Sequence, residues 1–182
     1  MAERRSFDRT AMPHLDAVFR AALVLCGNWS VAEDLVQTTF LKAWERFDSF
    51  QPGTNCKPWL MTILRNTWID ELRRRKVAGP GASIETDVPE PPRPEPTAWT
   101  DATDLLENFG DPEIIRALAA LSDQQRLTLY LVDVEGLSHD EIAAITGVPG
   151  GTVKSRSGRA RAVLREKLAG LARDRGLLKR QP

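Results

Sequence analysis

The chain has 182 residues, 42% of them hydrophobic, and its 25 basic and 25 acidic side chains give a formal net charge of zero. This length and composition are those of a soluble protein with one domain or two small ones. No apolar run approaches the roughly 20 residues needed to span a bilayer, and the opening residues MAERRSFDRTAMPH lack the apolar segment of a signal peptide, so we expect a cytoplasmic protein.

The chain before residue 79 has helical periodicity and no alternating strand pattern. A first helix is predicted over about residues 14–26. The next helix, in VAEDLVQTTFLKAWERFDSF, has an apolar face that consists of Leu35, Val36, Phe40, Ala43, Trp44 and Phe47. Proline and glycine in FQPGTN then indicate a loop. The following helix, PWLMTILRNTWIDELRRRK, ends in a basic cluster and is expected to bury Leu60, Ile63, Leu64, Ile69 and Leu72.

Residues 79–111 are acidic and rich in proline. Proline removes a backbone donor and disfavours helix at the residue before it, and the few apolar side chains of this segment are too few to form a core. We therefore predict an all-α fold in which an extended flexible linker joins two small helical domains, residues 1–78 and 112–182. A segment that only spaces the two domains apart, and has no role of its own, would have the same composition.

The C-terminal half begins with a short apolar helix in PEIIRALAAL. Ser122 with Gln125, and Ser138 with Glu141, fit capping boxes that open two further helices. Gly147 fits the end of the second of these, and VPG makes a turn into a helix that is rich in arginine. A short helix, a turn of a few residues and a longer basic helix are typical of a helix-turn-helix.

The last helix lies in GVPGGTVKSRSGRARAVLREKL, where basic residues are concentrated although the whole chain is neutral. In a helix-turn-helix the second helix enters the major groove with its N-terminal part nearest the bases. Lys154, Arg156 and Arg159 are close enough to the helix start to reach bases or phosphates, and the backbone amides of Gly151 and Thr152 can meet a phosphate. A solvated charged face would also explain the arginines, but not the capped helices and the glycine turn. We therefore predict DNA binding.

Two blocks of the sequence resemble the bacterial RNA polymerase sigma factors of the extracytoplasmic-function type. AEDLVQTTFLKAWERFDSFQPGTNCKPWLMTILRNTWIDELRRRK is similar to their region two, and LSDQQRLTLYLVDVEGLSHDEIAAITGVPGGTVKSRSGRARAVL is similar to their region four. The order of the blocks, their spacing and the acidic connector also match. One departure is Ser157 and Gly158, where the family usually has an apolar residue and a larger neighbour.

The resemblance implies a role for three groups of residues. The helix over residues 32–44 would dock on the clamp helices of the largest polymerase subunit through Asp34, Gln37, Thr38 and Leu41. The loop FQPGTNCKP and the next helix would open the minus-ten element and hold a flipped base through Asn55, Arg65, Asn66, Arg73, Arg74, Arg75 and Lys76. The basic helix would read the minus-thirty-five element through Thr152, Lys154, Ser155, Arg156, Arg159 and Arg161. The spacing of Trp59 and Trp68 favours core positions over base stacking.

Three other functions fit parts of the pattern. A repressor or activator that acts without polymerase would need a dimerisation element or a ligand domain, and neither is apparent. A sigma mimic that only occupies an anti-sigma factor would not need the basic helix. An enzyme would need a phosphate loop, a carboxylate pair or a nucleophile motif, and none is recognisable. Cys26 is expected to be a buried thiol and Cys56 a loop or helix-edge thiol, and neither lies in a metal-ligand spacing.

The expected partners are therefore core RNA polymerase, promoter DNA and an anti-sigma factor. The resemblance implies no cofactor and no metal, and it implies that the chemistry of transcription belongs to the polymerase rather than to this chain. The residues do not indicate which promoter sequence is recognised.

Overall fold

The computed structural model describes residues 2–78 and 112–176, and every regular element in these ranges is helical. The N-terminal half contains α1 (Ala2–Ala11), α2 (Leu15–Cys26), α3 (Trp29–Glu45) and α4 (Cys56–Ala78), with 3-10 turns at Met12–His14 and Phe47–Ser49. The C-terminal half contains α5 (Pro112–Ala119), α6 (Asp123–Asp133), α7 (His139–Thr146), α8 (Gly150–Lys167) and α9 (Ala169–Asp174). The predicted all-α fold is confirmed. The predicted linker, residues 79–111, lies outside the described residues.

Local chemistry sets the helix ends of the N-terminal half. α2 ends at Gly27, whose φ of +66° lies in the left-handed region that glycine adopts without strain. The amide of Gly27 donates to the carbonyl of Leu23 at 2.8 Å. Asn28 then caps α3, because its Oδ1 accepts from the backbone amide of Val31 at 3.0 Å. The helices predicted over this half are confirmed, and α2, α3 and α4 pack together as a bundle.

The first helix, α1, is an element that the sequence did not reveal. Its residues, AERRSFDRTA, are mostly polar with few apolar side chains, and no helix was predicted over them. Phe7 nevertheless is only 5% exposed. Its ring meets those of Trp44 and Phe47 edge-on, each with a centroid distance of 5.2 Å. Contact of one aromatic side chain with the bundle therefore places this helix.

Both predicted capping boxes of the C-terminal half are confirmed. The Oγ of Ser122 accepts from the amide of Gln125 at 3.3 Å, and the Gln125 side chain accepts in return from the amide of Ser122 at 3.0 Å. Ser138 and Glu141 make the same pair of bonds. α7 ends at Gly147, which has a φ of +66°, and a short turn leads into α8. α7, the turn and α8 form the predicted helix-turn-helix.

The predicted burial of Trp44, Leu72 and Cys26 needs correction. Trp44 is 44% exposed and Leu72 is 39% exposed, so neither belongs to the core as predicted. Leu72 lies beyond Trp68, which is the last buried residue among the described side chains of α4. Cys26, expected to be buried, is half-buried, while Cys56 lies at the edge of a helix as expected, as the first residue of α4, and is 3% exposed. Burial raises the pKa of the Cys56 thiol to about 11, so this thiol stays protonated at neutral pH.

The two halves pack directly against each other. α6 lies against α2, and α7 lies against α4. Leu127 and Ile142 of the C-terminal half belong to the same continuous apolar core as Leu25 and Leu64 of the N-terminal half. The sequence predicted two helical units but not this shared core.

Candidate functional site

The exposed face of α8 carries three of the side chains predicted to meet DNA. Lys154, Ser155 and Arg159 are all exposed. A guanidinium nitrogen of Arg159 donates to the Ser155 hydroxyl at 3.3 Å, and that hydroxyl donates to the carbonyl of Thr152 at 3.1 Å. These contacts are local and easily exchanged, so the charged groups are available to a phosphate or a base edge.

The start of α8 offers backbone amides, but not the pair that was predicted. Pro149 occupies the N-cap position, where its side chain makes no capping hydrogen bond. The amide of Thr152 donates to the carbonyl of Pro149 at 2.8 Å, so the prediction that this amide is open was wrong. This hydrogen bond forms in a tight first turn of the helix. The amides of Gly150 and Gly151 precede it and are the ones offered at the start of α8.

The unusual pair Ser157 and Gly158 has two different environments. Ser157 is 1% exposed and its hydroxyl donates to the carbonyl of Lys154 at 3.0 Å, so it packs inward together with Val153 and Ala160. Gly158 is exposed, and a Cβ added there would meet no atom within 4 Å. Ser157 therefore belongs to the core of the helix-turn-helix, and Gly158 to its outer face.

Two further predicted residues of α8 have partners within the chain. The Nε of Arg161 donates to Asp133 at 3.1 Å, and this hydrogen bond and the charge of Asp133 raise the pKa of Arg161. Arg156 is half-buried. Burial lowers its pKa, and the charges of Arg159 and Arg65 lower it further. Because Arg65 belongs to α4, the two predicted DNA-binding surfaces lie close together in this arrangement.

The two amides predicted to recognise a flipped base differ in their surroundings. Asn55 precedes α4, and its Oδ1 accepts from the backbone amide of Lys57 at 3.1 Å. This bond is that of a helix-start turn. Asn66 lies on α4 with its side chain exposed, and its Oδ1 accepts from Arg65 at 3.1 Å. Asn66 is thus the better placed of the two to meet a base.

The end of α4 carries the rest of the predicted minus-ten group, Arg73, Arg74, Arg75 and Lys76. Arg74 and Arg75 both pair with Glu71 at 2.9 Å. Arg75 also lies 5.7 Å from the ring centroid of Trp68, which is buried as predicted. Exposed ion pairs of this kind contribute little and can be replaced by a phosphate. The side chain of Lys76 lies outside the described part of the chain.

The polar side of α3 presents the residues that the resemblance assigned to polymerase binding. Asp34 and Gln37 are exposed, and Thr38 is half-buried. Leu41 is 64% exposed, although it is a large apolar residue. An apolar side chain that the fold leaves in water on a polar helix face is a candidate contact for another protein.

Leu41 borders a groove that the sequence did not reveal. The groove has a volume of about 610 Å³ and is lined by Phe7, Asp8, Gln37, Phe40, Leu41 and Trp44. Trp44 was predicted to be core, and α1, which supplies Phe7, was not predicted at all. Only the spacing of Trp44 from Leu41, three residues along one helix, could have indicated a shared face.

Other kinds of site were sought in the same described ranges, residues 2–78 and 112–176. No cluster of histidine, cysteine and acidic side chains there could hold a metal ion. None of the helices described is both long and apolar enough to cross a membrane.

Comparison with known proteins adds two family matches. Residues 11–77 match the family Sigma-70 region 2, and residues 112–164 match the family Sigma-70, region 4. The ECF RNA polymerase sigma factor EcfG of Rhodopseudomonas palustris is 40% identical over 154 residues, which are 85% of this chain and 78% of EcfG. The ECF RNA polymerase sigma factor SigE of Mycolicibacterium smegmatis is 38% identical over 167 residues, which are 90% of this chain but only 62% of SigE.

Two solved structures have the same fold. The sigma factor RpoE from Bartonella quintana, determined in complex with the anti-sigma factor NepR, is 34% identical and superposes with a TM-score of 0.72 over 91% of this chain and 98% of that one. CnrH, determined in complex with the cytosolic domain of CnrY, is 26% identical and has a TM-score of 0.63 over 92% of this chain and 90% of that one. Both likenesses extend over the two helical halves.

Proposed function

The chain belongs to the sigma-70 family of RNA polymerase sigma factors, in the extracytoplasmic-function group, and we propose that it binds core RNA polymerase and directs it to a specific set of promoters. The observation that carries this proposal is the presence in one chain of a region 2 match at residues 11–77 and a region 4 match at residues 112–164. A regulator that only binds an operator has no need of a region 2 half. In this proposal the region 2 half binds the polymerase.

Polymerase binds, in this proposal, to the surface formed by α3 and α1. Asp34 and Gln37 supply polar contacts, and Leu41 and Trp44 supply apolar area that is exposed in the free chain. Removing apolar area from water contributes roughly 25 cal/mol per Å². The groove beside Leu41 can receive a side chain from the partner.

The minus-ten element is opened, in this proposal, by α4 and the loop before it. Taking a base out of the stack costs a few kcal/mol, and the pocket that receives it must offset this cost with hydrogen bonds. Asn66 is the exposed amide on α4. Arg73, Arg74 and Arg75 hold the strand by its phosphates, since their ion pairs with acidic neighbours are exposed and exchangeable.

The minus-thirty-five element is read, in this proposal, by α8. Lys154 and Arg159 lie on its exposed face near the helix start, where a recognition helix approaches the major groove. Arg161 lies further along and pairs with Asp133. It therefore contributes to the phosphate contacts or to the fold of this half rather than to base reading.

We further propose an anti-sigma protein as a partner and the cytoplasm as the place of action. RpoE was solved with NepR and CnrH with the cytosolic domain of CnrY, and this chain shares the fold of both over nine tenths of its length. The sigma-70 family is not a family of enzymes. In this proposal nucleotide joining is left to the polymerase.

The test is transcription in vitro with the purified chain and core polymerase that lacks any other sigma factor. Specific transcripts should appear from a subset of promoters only when both are present. Tight binding of the chain alone to a palindromic operator, without transcription, would instead support a regulator that acts without polymerase. Capture of an anti-sigma protein without any transcription would support a sigma mimic.

A further inference from the structure

One acidic side chain connects the two halves of the chain. Glu135 follows α6, and its side chain is only 5% exposed. Lys57 of α4 donates to Oε2 of Glu135 at 2.9 Å, and Arg20 of α2 lies 3.5 Å from Oε1. The Tyr130 hydroxyl donates to Oε1 at 2.5 Å. Burial raises the pKa of Glu135, but the hydrogen bonds from Lys57 and Tyr130 outweigh it and leave the pKa below its ordinary value. The carboxylate is therefore ionised between two cations of the other half.

Further hydrogen bonds surround this group and also cross from one half to the other. The indole nitrogen of Trp68 in α4 donates to Asp123 at the start of α6, at 3.0 Å. The guanidinium of Arg126 in α6 donates to the carbonyl of Leu25, at 3.1 Å. This carbonyl belongs to the last turn of α2, where carbonyls have no partner within the helix. These polar contacts add to the apolar core that the two halves share and help to fix their relative position.

This closed arrangement covers part of the predicted DNA-binding surface. α7, the first helix of the helix-turn-helix, packs on α4. Lys57, close to the loop that precedes α4, is hydrogen-bonded to Glu135. Arg156 of α8 is half-buried and lies within the electrostatic reach of Arg65 on α4. The closed arrangement therefore partly covers Arg65 and Arg156, while Lys154, Arg159 and Asn66 stay exposed.

The closed chain is too short for its two halves to contact their two promoter elements at the same time. Elements about 25 base pairs apart are separated by about 85 Å along B-DNA, at about 3.4 Å per base pair. A compact chain of 182 residues has a radius of gyration of about 16 Å, and so a diameter near 40 Å. The halves must therefore separate, and the residues between them, 79–111, have a contour length of roughly 110 Å, which is sufficient.

We propose that Glu135, with Arg20, Lys57 and Tyr130, forms a latch that closes the free chain on itself and opens before the chain engages promoter DNA. The contacts between the two halves support the closure by themselves, while its consequence for DNA binding rests on the proposed function. A buried ion pair specifies one arrangement of its elements while adding little net stability. Such a latch selects the closed state and can still be opened by polymerase.

Small-angle X-ray scattering of the full chain tests the closure. The wild-type chain should have a radius of gyration close to the compact value of about 16 Å. Glu135→Gln removes the charge of the latch and leaves two half-buried cations, Arg20 and Lys57, without their counter-ion, which should shift the ratio of closed to open chains by at least about tenfold. Arg20→Gln breaks the latch from the other half and should act in the same direction. The radius of gyration should rise by several ångströms in both variants.

The matched control is Asp174→Asn, which makes the same kind of carboxylate-to-amide change in the C-terminal half. Asp174 is exposed on α9, and α9 packs against α8. This variant should keep the wild-type radius. Far-UV circular dichroism should show unchanged helix content in all variants, so that an increase in radius reports separation rather than unfolding. A wild-type chain as expanded as the variants, or folded latch variants with an unchanged radius, would overturn the latch.

DNA binding is measured separately, by fluorescence anisotropy with a 40-base-pair duplex of mixed sequence. The open variants Glu135→Gln and Arg20→Gln should bind it several-fold more tightly than the wild type, because a closed majority lowers the apparent affinity. Open variants that gain no affinity would refute the link between the latch and DNA access. Transcription by the wild-type chain with core polymerase decides the proposed function, and the scattering result decides the closure whatever that transcription shows.

Discussion

Replacing Gly158 by alanine should stabilise the chain. Gly158 lies in the middle of α8, outside the left-handed region, and a Cβ added to it would meet no atom within 4 Å. Alanine loses less backbone entropy on folding than glycine does, so the free energy of unfolding should rise by about 0.5–1 kcal/mol. For a chain of this length, this corresponds to an increase of about 1–4 °C in Tm.

The matched substitution Gly147→Ala should have the opposite effect. It adds the same methyl group, again with no atom within 4 Å, but Gly147 has a φ of +66°. Alanine in the left-handed region is disfavoured by roughly 1–2 kcal/mol. Urea denaturation followed by far-UV circular dichroism compares the two variants with the wild type. Shifts of the same sign in both would refute the argument that backbone conformation, rather than available space, decides the response.

Asn66→Ala should impair opening of the minus-ten element, whereas Lys154→Ala should weaken recruitment to the minus-thirty-five element. A permanganate footprint checks this, since a pre-opened bubble should rescue Asn66→Ala in part and Lys154→Ala much less. Leu41→Asp should weaken binding to core polymerase at least about tenfold, because burying a leucine contributes roughly 1.5–3 kcal/mol. Tm should stay the same, because Leu41 is 64% exposed in the free chain. A pull-down with core enzyme measures the binding, and undiminished binding would mean that this side of α3 is an ordinary solvated face. The pKa of Glu135 is lowered in the closed chain, so its contribution to closure is fully present above the ordinary value of 4.5 and is lost as the pH falls through the lowered value. The radius of gyration should accordingly rise on acidification below about pH 4.5 while helix content is retained, and Glu135→Gln should lack this response.

The sequence predicted the elements whose causes are local. Each capping box is a pair of residues three apart, and α7 ends at a single glycine, so Ser122, Ser138 and Gly147 could be assigned without knowing the rest of the fold. The residues of the basic face of α8 likewise lie in a single segment of the sequence. The roles of the individual DNA-facing and polymerase-facing residues stay predictions.

Features that depend on contacts between distant segments were not predicted. α1 is polar and is placed by Phe7 against side chains that lie some forty residues later. Trp44 shares the apolar periodicity of α3, yet it is exposed and lines a groove together with Phe7 of α1. A helical pattern reports that a face is apolar, but not whether another element of the chain covers it.

Glu135 illustrates the same point for charge. In the sequence it is an acid beside a glycine in VDVEG, a pattern typical of a solvated turn, and its partner Lys57 is 78 residues away. Its burial becomes meaningful only once α2, α4 and α6 are assembled. If apolar contacts alone joined the halves, the more area they shared the more tightly they would close. A carboxylate between two cations adds specificity at little net gain in stability. A sigma factor whose two folded halves must separate along roughly 85 Å of DNA needs a closed state that is well defined and still reversible.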